Sequence, residues 1–271
     1  MEALRLIDAW PAPTVAVAVL RERDELGSSG PRDRVFRWAS LAKLLLSYCC
    51  LIAAEEGTVD LDEEAGPPGS TVRHLLAHAS GLPFAGSAPI AQPGTRRIYS
   101  NTGYELLAEH LAARAEMTYD EYLHAAVLEP LGMAATLRGS PAGEVYGDLD
   151  DLVAFARELL APRLVAAETL AEAASVQLPG LSGVLPDFGR QDPNDWGLGF
   201  ELKDAKSPHW TGARNSPRTF GHFGGAGTFL WVDPEVRVAL ACLTDLPFDE
   251  WADEAKRAWP ALSDAVLAEA A

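Results

Sequence analysis

A serine and a lysine stand three residues apart in the segment Ser40-Leu-Ala-Lys43. On a helix this spacing puts both side chains on one face, within reach of each other. A serine beside an amine base is a candidate nucleophile, and its backbone N–H at the start of a helix can receive an oxyanion. The alternative is that Ser40 only caps the helix and that Lys43 extends its amine to solvent.

The surroundings of Lys43 bear on that choice. The chain has only four lysines, and Lys43 falls inside a run, residues 41–54, that is apolar nearly all round. Such a run predicts a helix that is buried on every side. Because an isolated buried ammonium is costly, we expect Lys43 to be paired, neutral or used in chemistry.

A second group of polar residues, Tyr99-Ser100-Asn101, ends a Gly/Pro-rich loop and opens the next predicted helix. A phenol near a lysine could carry the proton of Ser40, and a carboxamide can accept from Lys43 and donate to a substrate carbonyl. The alternative is that Ser100 or Asn101 is a helix cap and that Tyr99 is only part of a wall.

A third group, His222-Phe223-Gly224-Gly225, lies between two predicted strands near the C-terminus. Its glycines would let a strand edge approach a ligand closely and offer a backbone N–H to an oxyanion. The alternative is a tight turn or a bulge with no role in chemistry.

Together the motifs SLAK, YSN and HFG resemble the active-site set of the serine β-lactamase and penicillin-binding D,D-peptidase superfamily, which is S-x-x-K, S-D-N and K-T-G in class A members. YSN is similar to the class C branch, and HFG resembles the branch that contains family VIII carboxylesterases and D-aminopeptidases. Further stretches similar to that branch occur in the same order: RHLLAHASGLP, IYSNTGYELL, EPLGM, WGLGF and GHFGGAGTFLWVDP. The resemblance extends over residues 36–244.

The resemblance implies roles for individual residues. Ser40 would be the acylated nucleophile, Lys43 and Tyr99 would share general acid and base work, and Asn101 would orient Lys43 and the substrate. The backbone N–H groups of Ser40 and Gly225 would form the oxyanion hole, with Gly224 beside them.

His222 stands where the superfamily has a lysine that helps to bind a substrate carboxylate. A histidine is mostly uncharged at neutral pH unless it is paired. The resemblance therefore favours uncharged acyl groups over penicillins or cell-wall peptides. Whether Lys43 is the neutral base, or stays charged and holds Tyr99 as a phenolate, is open at this level because the two titrations are coupled.

The elements that must position these motifs follow from the hydrophobic pattern. After a short helical start, strands are predicted at residues 14–20 and 34–38, in hairpin order, with the turn-rich residues 26–33 between them. Helices are predicted at residues 71–79, 101–115, 119–132, 148–162 and 166–178, with loops at 83–94 and 179–195. Strands return at residues 196–203, 218–233 and 236–244, and a last helix over 250–270 is expected to kink or break at Pro260.

Strands at both ends with helices between them predict an α/β (α+β) fold, in which both chain ends build one antiparallel sheet flanked by helices. The expected division is a sheet domain of residues 1–59 and 196–271 with an inserted all-helical domain of residues 60–195. The resemblance implies the β-lactamase/transpeptidase-like fold. A cleft between the two parts is the expected place for a site.

Composition limits the possible partners. The chain has 22 Lys and Arg against 39 Asp and Glu, so its formal net charge of −17 disfavours nucleic acid or an anionic membrane. Three cysteines do not make a disulfide framework, and the N-terminus lacks a secretory pattern, so we expect a cytoplasmic protein. His74 and His78 have metal-ligand spacing without a third ligand, and we predict no metal and no cofactor.

The sequence thus predicts a serine hydrolase that acts through an acyl-enzyme on small esters, amides or peptides. One alternative keeps the acyl-enzyme but passes the acyl group to another acceptor, or is a D-aminopeptidase-like enzyme or a weak β-lactamase. A second alternative is a non-catalytic binding or assembly protein of the same fold. Of the aromatic residues near the motifs, Phe223 and then Trp196 are the candidates for pocket lining, whereas Trp38, Phe84 and Trp210 are expected in the core.

Overall fold

The computed structural model describes residues 1–270. Its strands are β1 (Val15–Arg21), β2 (Asp24–Ser29), β3 (Phe36–Arg37), β4 (Thr136–Leu137), β5 (Val145–Gly147), β6 (Gly183–Leu185), β7 (Gly189–Gln191), β8 (Glu201–Leu202), β9 (Phe220–Gly224), β10 (Thr228–Asp233) and β11 (Val238–Thr244). Its helices are α1 (Ala42–Glu55), α2 (Val72–Leu76), α3 (Asn101–Ala115), α4 (Tyr119–Leu123), α5 (Glu129–Leu131), α6 (Leu149–Leu160), α7 (Ala167–Ala173) and α8 (Ala252–Ala270). Short 3₁₀ segments cover Glu2–Ala9, Ala39–Leu41 and Phe248–Glu250, and a π-helical turn, His124–Leu128, joins α4 to α5.

The main sheet has six strands in the order β2-β1-β11-β10-β9-β8, and all its neighbours are antiparallel. Val15 in β1 pairs with Thr244 in β11, so the two ends of the chain meet in the centre of the sheet. The predicted class is confirmed: the protein is a mixed α/β structure whose antiparallel sheet is flanked by helices.

Both faces of this sheet are buried, which explains the uninterrupted apolar run of β1. Ala16, Ala18 and Leu20 face a core that includes α1 and α6, whereas Val17 and Val19 face a second core that includes α8. Alternate residues of a strand point to opposite faces, so a sheet covered on both sides needs apolar residues at every position.

Helix α1 lies deep in the first of these cores. Every residue from 42 to 53 is buried, including Lys43, as the apolar run predicts. Helix α6 packs on β1, β10 and β11 beside it. The predicted burial of Lys43 is therefore a feature of the structure, and its side chain does not reach solvent.

The middle of the chain is not entirely helical. Strand β5 pairs with β3 on one side and β4 on the other in a small sheet, and β6 and β7 form a hairpin inside residues 179–195, which the sequence predicts as a loop. These strands are two or three residues long, too short to leave a clear alternating pattern. The division at residues 59/60 and 195/196 stays a prediction.

The first hairpin also differs from the predicted one. Residues 24–29, which overlap the predicted turn, form the edge strand β2 paired with β1, whereas Phe36 and Arg37 pair with β5 instead. Gly27 lies opposite Val19 at a shift in the register of β1 and β2. Glycine and serine are turn signals in sequence, yet an edge strand with a bulge accommodates them.

Two further predictions fail at the C-terminal end. The strand predicted at 196–203 shrinks to Glu201–Leu202, because Gly199 has a φ of 86° and passes close to Ser47 and Tyr104. Helix α8 runs unbroken through Pro260, so of the predicted kink or break the break does not occur. Proline has no N–H to donate to the helix. The packing of Trp259 and Leu262 in the second core offsets the loss of that backbone hydrogen bond.

Candidate active site

Ser40 lies in the 3₁₀ turn between β3 and α1. The residue before it, Ala39, has a φ of 48°, a left-handed conformation that costs on the order of 1 kcal/mol or more for a non-glycine residue. The hydroxyl of Thr228 in β10 donates to the carbonyl of Trp38 at 2.9 Å, and the N–H of Leu41 donates to the same oxygen. The main sheet therefore holds the turn that presents Ser40.

Lys43 Nζ lies one turn further along α1 and has three oxygen neighbours. It is 2.7 Å from Oδ1 of Asn101, 2.7 Å from the carbonyl oxygen of Ala142 and 3.4 Å from Oγ of Ser40. The side chain is fully buried. Burial lowers the pKa of Lys43 to about 7, partly opposed by the negative charge of Glu105.

These neighbours suit a neutral amine. An uncharged Nζ has two hydrogens and one lone pair. The oxygens of Asn101 and Ala142 can only accept, so they take both hydrogens, and the lone pair is left facing the hydroxyl of Ser40. In the protonated state the third hydrogen would point at the same Oγ, so either state is fully hydrogen-bonded.

Tyr99 and Asn101 come to this point from the start of α3. The hydroxyl of Tyr99 donates to Oγ of Ser40 at 2.8 Å. Ser100, between them, is the helix cap, because its hydroxyl accepts from the N–H of Gly103 at 2.9 Å. Ser100 therefore caps the helix, whereas Tyr99 contacts Ser40 and Asn101 contacts Lys43. Burial raises the pKa of the Tyr99 hydroxyl.

His222 lies behind Tyr99 on β9. Its Nδ1 is 2.6 Å from the carbonyl oxygen of Phe223, an acceptor, so Nδ1 carries the hydrogen. Its Nε2 is therefore an acceptor and faces the hydroxyl of Tyr99 at 3.4 Å. Burial, and then the charge of Lys43, lower the pKa of His222 to about 3, so this side chain is neutral where the superfamily motif has a lysine.

The two glycines after Phe223 have different surroundings: Gly224 is tightly packed and Gly225 is not. A Cβ on Gly224 would come within 2.5 Å of the Thr228 hydroxyl and 2.6 Å of the Trp38 carbonyl, so this glycine allows β9 to pack against the Ser40 turn. Gly225 has open space around it and lines the cavity above Ser40. Within residues 1–270 the N–H groups of Ser40 and Gly225 donate no hydrogen bond to the protein.

A cavity of about 240 Å³ opens over Ser40. It is lined by Ser40, Phe84, Tyr99, Leu185, Pro186, Asp187, Trp196, Glu201, His222, Phe223 and Gly225. The structure thus places Phe223 and Trp196 in the lining as expected, and it adds Phe84. Trp38 and Trp210 lie in the core. A larger cavity, about 540 Å³, lies beside α7 and contains none of the motif residues.

Arg97 is a positioning residue that carries no sequence signal. It is buried, and its guanidinium donates to the carbonyls of Ala77, Gln177, Leu178 and Asn194. Arg97 lies two residues before Tyr99, so these bonds tie the segment that leads into Tyr99 to the segments that contain Ala77, Gln177 and Asn194. Because its partners are all backbone oxygens, no motif in the sequence could have indicated it.

Glu201 forms a buried charged cluster at the back of the cavity. One carboxylate oxygen accepts from Lys206, and the other lies 2.8 Å from both Nε2 of His209 and Nε1 of Trp210. Burial raises the pKa of Glu201, but the opposing effect of His209 and Lys206 is larger and brings it to about 2. The carboxylate is therefore ionised and fully engaged.

The histidines with metal-ligand spacing have other partners. His74 Nδ1 lies 2.8 Å from the hydroxyl of Thr71 at the start of α2, and His78 Nδ1 accepts from the N–H of Ser100. His78 packs against Tyr99 with ring centroids 4.4 Å apart. Its place is therefore beneath the catalytic candidates, where it supports Tyr99.

The Beta-lactamase family model matches residues 5–263, nearly the whole chain. This protein belongs to the beta-lactamase family. A beta-lactamase from Mycobacterium bovis is 50% identical to it, with a TM-score of 0.96 over 99% of both chains. The family assignment confirms the resemblance seen in the motifs.

Other relatives are more distant. The D-alanyl-D-alanine-carboxypeptidase/endopeptidase AmpH of Escherichia coli is 29% identical over 141 residues, which are 38% of this chain and 37% of that protein. The match therefore spans little more than a third of this curated relative. EstCE1, a hydrolase with promiscuous acyltransferase activity, has the same fold, with a TM-score of 0.76 at 16% identity, over 97% of this chain and 96% of that one. No helix within residues 1–270 has the length and hydrophobicity needed to cross a membrane.

Proposed function

We propose that this protein is a serine hydrolase that acts on small esters or amides through an acyl-enzyme at Ser40. One observation carries the proposal: Oγ of Ser40 lies 2.8 Å from the Tyr99 hydroxyl and 3.4 Å from Nζ of Lys43. A nucleophile within reach of two groups that can move its proton is the arrangement that nucleophilic catalysis requires.

The position of Lys43 beside Ser40 and its lowered pKa support Lys43 as the base. With Nζ neutral, the Ser40 hydroxyl donates to its lone pair while Tyr99 donates to Oγ. When Oγ attacks the substrate carbonyl, its proton passes to Nζ. As the leaving group departs, the Tyr99 hydroxyl can donate its proton to it and take up the proton held by Lys43, so that both residues return to their starting states. A pKa for Lys43 of about 7 suits this role near neutral pH.

The developing oxyanion would be bound by the N–H groups of Ser40 and Gly225. Both residues line the cavity, and both N–H groups are free of hydrogen bonds to the protein within the described residues. Preorganised backbone donors of this kind are typically among the largest contributions to catalysis. In the second half of the reaction, water would take the place of the leaving group, activated by the same Lys43 and Tyr99.

The expected acyl group is small and does not carry a carboxylate. The cavity of about 240 Å³ is lined mainly by aromatic and apolar side chains, and His222 is neutral where a cation would be needed to hold a carboxylate. Penicillins and D-Ala-terminated peptides should therefore be poorer substrates than short-chain esters.

The test is to incubate the protein with a short-chain p-nitrophenyl ester, nitrocefin and a D-Ala p-nitroanilide, and to follow both turnover and intact mass. We expect ester turnover and an acyl adduct, both lost in Ser40→Ala. Ser28→Ala, an exposed serine on β2, is the matched control and should behave as wild type. Turnover in Ser40→Ala, or neither adduct nor turnover in the wild type, would overturn the proposal.

A further inference from the structure

The mouth of the Ser40 cavity carries an aspartate that is held in a fixed turn. Between β6 and β7, the N–H of Phe188 donates to the carbonyl of Leu185 at 3.1 Å. Pro186 occupies the second position of this turn, and Asp187 occupies the third with a φ of 63°. Proline followed by a residue with positive φ is typical of a type II turn, so the backbone of Asp187 has a defined conformation.

The residues on either side of the turn anchor it to the site. Leu185 and Phe188 are 1% and 5% exposed. The ring of Phe188 packs edge-on against Phe223, with centroids 5.6 Å apart, and Phe223 directly follows His222 on β9. Asp187 itself is exposed and lines the cavity. The turn therefore keeps this carboxylate at the entrance.

The charged side chains in the lining of the cavity are both acidic. Its lining contains Asp187 and Glu201 but no lysine or arginine. The oxygens of Glu201 are occupied by Lys206, His209 and Trp210. Among residues 1–270, no lysine, arginine or histidine forms an ion pair with Asp187. Asp187 is thus the carboxylate at the cavity that a ligand could engage.

Aromatic rings line the same entrance. Phe84 stacks on Tyr99 with centroids 6.1 Å apart, and Tyr99 lies 5.9 Å from Trp196. Ring faces attract cations, and an adjacent carboxylate adds to that attraction. The net charge of −17 also concentrates cations near the surface.

We infer that Asp187 is a specificity determinant, through which the site prefers substrates that carry an ammonium group near the scissile ester or amide bond over their neutral isosteres. The inference rests on the proposed hydrolase function. It names a substrate class and adds no step to the reaction at Ser40.

Two pairs of substrates test it, each pair differing only in the replacement of a trimethylammonium by a tert-butyl group. Acetylcholine and its carbon isostere place the cation on the leaving group. The p-nitrophenyl esters of trimethylglycine and of its carbon analogue place it on the acyl group. For each ester, kcat/KM is compared between the wild type and Asp187→Asn, so differences in chemical reactivity between the esters cancel. Asparagine is chosen because it tolerates the positive φ of this position.

In Asp187→Asn we expect kcat/KM for the cationic member of at least one pair to fall about two- to fivefold relative to that of the neutral member, and the fall to shrink as salt is added. Asp187→Lys should lower it further, whereas Asp120→Asn, an exposed acid on α4, should have no effect. Equal effects on both members of both pairs would overturn the inference while leaving the hydrolase function intact. Absence of turnover and of an adduct with the neutral esters would instead refute the function itself.

Discussion

Nζ of Lys43 lies 2.7 Å from Oδ1 of Asn101, and this contact joins the first turn of α1 to the first residue of α3. The two residues are 58 positions apart in the chain. Because Ser100 caps α3, Asn101 is free to face Lys43. The contact therefore links the helix that follows Ser40 to the helix that follows Tyr99.

The pH dependence of the reaction should report on Lys43. Burial lowers its pKa to about 7, so kcat/KM for a neutral ester should rise about tenfold per pH unit below 7, as the amine loses its proton, and level off above it. In Asn101→Asp a carboxylate replaces the amide beside Nζ and favours the charged amine. The rising limb should then move at least about one unit to higher pH. Gln92→Glu, at an exposed position, should leave the limb in place, and an unmoved limb in Asn101→Asp would contradict Lys43 as the titrating base.

Removal of the Tyr99 hydroxyl should slow turnover without unfolding the protein. We expect Tyr99→Phe to lower kcat for a p-nitrophenyl ester by at least about 100-fold, the lower end for loss of an acid or base. Tyr146→Phe removes a hydroxyl that bonds Glu144 and should be silent. Full activity in Tyr99→Phe, with an unchanged circular dichroism spectrum, would exclude a proton-transfer role.

The two glycines of the third motif should respond differently to alanine. In Gly224→Ala the new Cβ meets Thr228 and the Trp38 carbonyl, so the free energy of unfolding in urea should fall by about 1–3 kcal/mol, the usual cost of overpacking. Gly225→Ala meets nothing within 4 Å and should stay within about 0.5 kcal/mol of the wild type. Equal losses for both would show that β9 does not pack against the Ser40 turn as described.

Stability towards acid should depend on Glu201. Its pKa is lowered from 4.5 to about 2, so its contribution is present above pH 4.5 and is lost as the pH falls towards 2. Glu201→Gln leaves the buried Lys206 ammonium without its counter-charge and should cost about 3–5 kcal/mol at pH 7. The difference from the wild type should narrow on acidification, as measured by urea unfolding at several pH values. The exposed control is Glu109→Gln. If the loss of unfolding free energy in Glu201→Gln did not change with pH, or were as small as in this control, the ionised state of Glu201 would be contradicted.

Much of the candidate site could be predicted from the sequence because its residues lie in local patterns. The burial of Lys43 follows from the apolar run around it, and the closeness of Ser40 follows from helical spacing. The division of work between Ser100 and Asn101 could not be predicted, since capping and catalysis call for the same residue types at the same place. The hydrogen bond from Lys43 to the Ala142 carbonyl could not be predicted either, because the two residues are 99 positions apart in the chain.

The failed predictions share a physical origin in short elements with weak patterns. Asp24–Ser29 forms a strand because β1 provides a hydrogen-bonding edge, although its glycine and serines are typical of turns. The turn at Asp187 falls in a segment predicted as a loop, and its place at the cavity depends on the distant Phe223. Arg97 binds only backbone oxygens, which no side-chain motif encodes.

The central position of β11 has a consequence for the chain while it is being synthesised. Before residues 238–244 emerge, β1 has only the edge strand β2 beside it, and its face with Val17 and Val19 lacks the cover of α8, which follows β11 in the chain. Thr228, which holds the Ser40 turn, also emerges late. A nascent or truncated chain that stops before β11 should therefore be inactive and prone to aggregation, so that folding of the sheet and assembly of the site happen together at the end of synthesis.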